Sequence, residues 1–195
     1  MPTITAANLE GFLYGRTDFE KRRLEKADQE AMGLDLVRRI MSRTGFVPPG
    51  RIFHSAGTNG KGSVCFYLEQ ALLARGERTG TFLSPHAVRL GERFRIAGEE
   101  ASPESIVRAA DTLQQAAGPL LEAATTCEVL FLIGASLFHE AGVTASILET
   151  GLGGRLDTTN VVAPEAVLIT PVALDHTAIL GTTITAIARE KAGII

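Results

Sequence analysis

At 195 residues, with 45% hydrophobic and 21% charged side chains, the chain has the composition of an ordinary globular domain with one real core, not of a disordered tail. Its 19 basic and 22 acidic residues leave a net charge of −3, so no basic footprint exists to neutralise a nucleic-acid backbone. The most apolar stretch, Val129 to Phe138, falls short of the roughly 18 residues of a membrane span, and Met1 to Glu10 has neither the basic start nor the apolar centre of a secretory signal. A cytoplasmic protein with neither nucleic acid nor membrane as partner is expected.

In chain order, Asp18 to Met41 is charged and helix-prone, with Leu24, Leu34, Val37, Ile40 and Met41 as one apolar face and Glu20 to Arg23 as a solvated run. Val47-Pro48-Pro49-Gly50 ends this preamble, because proline blocks helix continuation. Short apolar runs then alternate with helical ones, the pattern of βαβ units in an α/β fold with a mainly parallel sheet and flanking helices. Strands are predicted over Arg51 to Ala56, Thr79 to Leu83, Val143 to Leu148 and Ala166 to Thr170, and Phe94 to Glu99 reads as a short extended excursion with a turn. Helices are predicted over Ser63 to Arg75, from Ser102-Pro103, over Glu128 to Ala141 with Gly142 closing it, and over Thr182 to Lys191. Cys65 and Cys127 lie far apart without metal-ligand spacing and read as small buried hydrophobes.

The strongest local signal is Gly57-Thr58-Asn59-Gly60-Lys61-Gly62-Ser63, between an apolar strand and a helix. Glycines let backbone N–H groups turn inward around phosphate oxygens, the helix start adds positive potential, and Lys61 can reach terminal phosphates. The loop departs from the strict phosphate-loop pattern, since Gly62 follows the lysine and the hydroxyl arrives only at Ser63.

Ser84, Glu149 and Asp175-His176 each follow a predicted strand. In an open parallel sheet all strand C-termini share one edge, where ligands bind. Oxygen donors there suit Mg²⁺, and a carboxylate directly after an apolar strand is the arrangement that holds it in phosphate-loop enzymes. His176 is a less usual Mg²⁺ ligand, and orienting a water or a carboxylate is the other role open to it. His54 inside the first strand reads as a hydrogen-bonded core residue, His139 as a helix-end residue, and His86 as a weak substrate-contact candidate. In Glu149 to Asn160, three glycines permit close approach of a ligand and Arg155 offers a fork for phosphate or carboxylate. Lys191 by itself looks like an exposed helix lysine.

Six collinear motifs, GTNGKGS, Ser84-Pro85-His86, Glu92 to Ile96, Glu149 to Asn160, Leu174 to Thr177 and Glu190 to Ile194, together resemble the folylpolyglutamate synthase/dihydrofolate synthase family of the Mur ligase superfamily. The resemblance implies an ATP-dependent amide ligase that adds L-glutamate to dihydropteroate or folates through an acyl phosphate. It implies ATP on Gly57 to Ser63, Mg²⁺ on Ser84, Glu149 and His176, and catalytic roles for Lys61, His176 and Lys191, the last as a carbamylated lysine. Glu128, Arg155 and Asp157 become substrate-binding candidates, with Cys127 standing where the family often has an aromatic residue. The implied organisation is a helical segment over 1–49 and a truncated central ATP-binding domain over 50–195. With a monomer and only small-molecule partners expected, the chain is predicted to be weak or inactive alone. Murein-peptide ligases are the alternative within the enzyme class, and a non-catalytic nucleotide-binding fragment the alternative outside it.

Overall fold

The computed structural model describes residues 2–18 and 33–195. Helices α1 (Leu9–Tyr14) and α2 (Asp35–Thr44) precede β1 (Arg51–Ala56), α3 (Lys61–Ala74) and β2 (Thr79–Phe82). A hairpin of β3 (Phe94–Ile96) and β4 (Glu99–Glu100) leads to α4 (Pro103–Ala117) and α5 (Thr126–Glu140). Then come β5 (Ala145–Glu149), β6 (Ala166–Ile169), α6 (Thr177–Leu180) and α7 (Ile184–Ala192).

The strands form one sheet in the order β4-β3-β2-β5-β1-β6. Strands β2, β5, β1 and β6 run parallel, and the Phe94 to Glu99 excursion is the antiparallel hairpin added at the β2 edge. The α/β expectation therefore holds.

Alternation along β5 explains the layers. Ala145 and Ile147 face α3 with Phe53, Cys65 and Leu72, whereas Leu148 faces the opposite layer with Phe82, Phe94 and Phe131. Between Thr126 and Phe138 every residue of α5 except Cys127 is buried, because the sheet, α1, α2 and α4 surround it. A helix apolar on all sides belongs in such a place, and it is too short to cross a membrane; among the described residues no helix is long and apolar enough to do so. Ile4, Leu13, Val37, Ile40 and Met41 join the same core cluster. Of the helix expected over Asp18 to Met41, the part from Asp35 is present in α2, whereas Leu24 and the run Glu20 to Arg23 lie outside the described residues.

Element boundaries differ from the sequence expectation by one or two residues, and hydrogen bonding accounts for those of β5, α3 and α5. Strand β5 begins at Ala145 and not Val143, since the Val143 amide donates to Phe138 O and the Thr144 amide to Arg78 O; it reaches Glu149 because that residue pairs with Ser55. Helix α3 starts at Lys61, as Val64 N–H already donates to Gly60 O. Helix α5 starts two residues early because Thr125 caps it, accepting from Glu128 N–H, while the Glu128 carboxylate accepts from Thr125 N–H.

Phe131 is 1% exposed and packs edge-on against Phe82 at 5.9 Å. Phe131→Ala is expected to cost about 3–5 kcal/mol in urea unfolding; a loss below about 1 kcal/mol would mean that α5 is not enclosed as described.

Candidate active site

The four parallel strands deliver the loops after β1, β2, β5 and β6 to one edge. Gly57, the first residue past β1, has φ +154° and lies against Thr170 at the end of β6; a Cβ there would fall 1.7 Å from Thr170 Oγ1. Thr58 N–H donates to Pro171 O at 3.0 Å, and the Thr58 hydroxyl donates to Ala173 O and accepts from Ala173 N–H. The phosphate loop is thus braced by the chain leaving β6. Gly60, at φ +86°, caps α3 with open space where a Cβ would project, so Lys61, Gly62 and Ser63 form the N-terminal turn of a 14-residue helix. The N–H groups of this turn and the positive end of the helix dipole suit an anion.

Glu149 ends β5, the strand between β2 and β1, so its side chain meets both neighbouring loops. It is 6% exposed, and its Oε2 accepts from the backbone N–H of Ser84 at 3.1 Å. Burial raises its pKa above the usual carboxylate range, with the Ser84 amide, Lys61 and the Gly62 amide acting against that. Beside it, the buried Ser84 hydroxyl oxygen has no hydrogen-bond partner. A Cβ on Gly151 would lie 3.4 Å from that oxygen and 3.5 Å from Asp157 Oδ2, so the glycine leaves the approach open. A desolvated carboxylate next to an unsatisfied hydroxyl oxygen fits a hard divalent cation, which takes oxygen donors.

Lys191 is not the exposed helix lysine that its local sequence suggests. It is 4% exposed, because α7 packs beneath the phosphate loop, and its Nζ donates to Gly57 O at 2.7 Å. Burial first, and then Lys61, lower its pKa, opposed by Asp175 and Asp157.

Close backbone approach at Gly154 and Gly193 joins the loop after β5 to α7. A Cβ on Gly154 would come within 2.8 Å of the Glu190 and Lys191 carbonyls, and one on Gly193 within 2.4 Å of the Arg155 side chain. The two glycines let this loop sit directly on α7. Arg155 pairs with Glu190 at 2.9 Å across that contact. Asp157 holds the loop from within: its Oδ2 accepts from Gly151 and Leu152 N–H at 2.9 and 2.8 Å, and its Oδ1 from Thr159 N–H.

His176 lies at the same edge but is half-exposed, in the left-handed region at φ +47°, with its backbone N–H on Asp175 Oδ1. Among the described residues no three His, Cys, Asp or Glu side chains cluster as metal ligands, so His176 does not stand with Glu149 and Asp157 in such a group. Helix α5 runs toward the start of β5, so its N-terminus lies at the loop edge; there the Glu128 carboxylate accepts from Thr125 N–H and Oγ1.

Two carboxylates have structural roles that the sequence did not assign to them. Glu69 on α3, fully buried, accepts from Thr81 Oγ1 at 2.8 Å and pairs with Arg95 at 2.9 Å, tying the phosphate-loop helix to β2 and β3. Glu92 accepts from the N–H groups of Ala87, Val88 and Arg89, which folds the segment after Ser84-Pro85-His86 and lowers its pKa.

This arrangement has close counterparts. The chain is 41% identical over 164 residues to the dihydrofolate synthase/folylpolyglutamate synthase of Escherichia coli, a match over 84% of this chain and 38% of that protein. Escherichia coli FolC in complex with DHPP and ADP superimposes with a TM-score of 0.86 at 36% identity, over 97% of this chain and 43% of that one. The chain belongs to the folylpolyglutamate synthase/dihydrofolate synthase family. The bifunctional family enzyme from Yersinia pestis, complexed with AMPPNP and Mn ion, gives a TM-score of 0.85 at 38% identity, over 100% of this chain and 45% of that one. No protein-family model matches the chain. The chain spans less than half the length of these relatives, and the structural likeness to the Yersinia pestis enzyme extends over all of it, phosphate loop and Glu149 edge included.

Gly57→Ala is expected to cost about 1–3 kcal/mol and to loosen the loop from Thr170; unchanged thermal stability would contradict that contact. Burial pushes the His54 imidazole down to about 4 from 6.5, so between those values the unfolded chain binds more protons than the folded one. Stability from this group is complete above pH 6.5 and is lost as pH falls toward 4, with a slope of up to about 1.4 kcal/mol per pH unit. Urea titrations at pH 7, 6 and 5 should give a shallower loss in His54→Gln than in the unsubstituted chain.

Proposed function

We propose that this chain carries the nucleotide-phosphate and divalent-metal machinery of an ATP-dependent ligase that joins L-glutamate to dihydropteroate or to folates. The observation that carries the reading is the unpartnered Ser84 hydroxyl beside the buried Glu149 carboxylate, at the mouth of a phosphate loop. Relatives named for both synthase activities, and solved family structures holding ADP, AMPPNP and Mn, support it.

The phosphate-loop residues, Gly57, Thr58, Asn59, Gly60, Lys61, Gly62 and Ser63, bind and orient the nucleotide phosphates through N–H groups, with Lys61 supplying positive charge. Ser84 and Glu149 would hold Mg²⁺, which would supply positive charge to neutralise phosphate oxygens. Bringing two anions together is the difficulty of this reaction, and preorganised positive charge lowers its barrier. His176 stands at the rim to complete the metal's surroundings or orient a water. Lys191 is proposed as a site of carbamylation, in which its amine nitrogen would add to carbon dioxide and lose a proton to solvent; burial favours the neutral amine that this needs. Glu128, Arg155 and Asp157 position the organic substrate at the two flanks of the edge.

Lys61→Ala should weaken ATP binding by at least about tenfold, roughly 1.4 kcal/mol, in calorimetry with Mg²⁺. Glu149→Gln should leave nucleotide affinity without metal intact and remove the gain that Mg²⁺ brings. Equal Mg²⁺ dependence in both proteins would remove Glu149 from the metal site. Ligation is read in a protein of the relatives' length that carries this sequence, as ATP-dependent formation of dihydrofolate or glutamylated folate; no amide product would overturn the reading.

A further inference from the structure

His54 is fully buried in β1, on the face toward α5, and its chemistry is unused by the site described so far. Its Nε2 lies 2.7 Å from Thr159 Oγ1, and the Thr159 hydroxyl donates to Asp157 Oδ1. Asp157 in turn receives the amides of Gly151, Leu152 and Thr159, so it acts throughout as an acceptor. The single Thr159 proton is committed to that carboxylate, which leaves a lone pair facing the imidazole. His54 must therefore carry its proton on Nε2 and donate it, with Nδ1 bare; that nitrogen is buried and has no partner. Desolvation keeps the ring neutral over the ordinary pH range.

We propose that His54 is a positioning residue: through Thr159 it orients Asp157, and through Asp157 it fixes the backbone of Gly151 and Leu152 beside the Ser84 hydroxyl. The relay runs from the interior of the sheet to the loop that borders the metal and phosphate site, so it sets how near Gly151 stands to Ser84 and Glu149. One donor, one hydroxyl and one acceptor, each with a fixed direction, give it a polarity that generic packing lacks. Its consequence for metal binding rests on the function proposed above, whereas the relay itself does not.

The test has two arms on the 195-residue chain. In the unsubstituted protein, long-range ¹⁵N–¹H spectra at pH 7 should show His54 protonated at Nε2; protonation at Nδ1 would overturn the relay, whatever any variant does. Amide exchange should then speed up at least tenfold at Gly151 and Leu152 in Thr159→Val and His54→Leu, with core amides such as Ile147 unchanged. Thr159→Ser, which keeps the hydroxyl, should restore protection. Unchanged exchange in both variants, or no rescue by serine, would overturn the proposal. If Mg²⁺ strengthens AMPPNP binding to the unsubstituted chain, that gain should fall at least threefold in Thr159→Val and persist in Thr159→Ser. Absence of any such gain in the unsubstituted chain contradicts the proposed function, and the relay is then decided by the tautomer and the exchange rates.

Discussion

Parallel pairing constrains everything else in this molecule: β2, β5, β1 and β6 end at one edge, and β5 lies between the strands that lead into the Ser84 loop and the phosphate loop. Its last residue, Glu149, is consequently buried between two loops that approach it with N–H groups. Those amides and Lys61 do not offset the cost of desolvating the carboxylate, whose pKa stays raised. The result is a site with negative charge in excess at its floor and positive potential at its rim. A divalent cation held at Glu149, as proposed, would satisfy both.

Close backbone contact gives that edge its rigidity. Gly57 lies on Thr170, Gly154 on the carbonyls of α7, and Gly193 on Arg155, and each contact would be broken by a single added carbon. These glycines set distances between segments far apart in sequence, and Lys191 adds a hydrogen bond from α7 to the phosphate loop. The loop's shape therefore depends on the chain some 130 residues later, through the bond between Lys191 and Gly57. Glu69 and Arg95 do the corresponding work on the other side, anchoring α3 to the hairpin.

Much of this was legible from the sequence for local reasons. Alternating apolar runs specify the parallel sheet, and a glycine loop between a strand and a helix specifies the phosphate cradle. Ser84 and Glu149 could be placed at one edge because strand ends in such sheets must coincide. Lys191 could not, since Glu190-Lys191-Ala192-Gly193 carries no mark of being buried; that follows only from how α7 docks. Arg155 read as a fork for an anion without showing that Glu190 takes it. Of the glycines near it, Gly154 is approached by the carbonyls of α7, a contact that the local sequence does not show. His54 was recognised as a bonded core histidine, while the direction of its bond became visible only when Thr159 and Asp157 were seen beside it.

The central claim is that Ser84 and Glu149 form an oxygen site for a divalent ion facing the phosphate loop. Crystals grown with AMPPNP and Mn²⁺ test it directly through anomalous scattering from the metal. A peak bonded to Ser84 Oγ and to a Glu149 carboxylate oxygen, next to a nucleotide phosphate, is the expected result. Nucleotide bound in the loop with manganese elsewhere, or with no manganese at all, would contradict it.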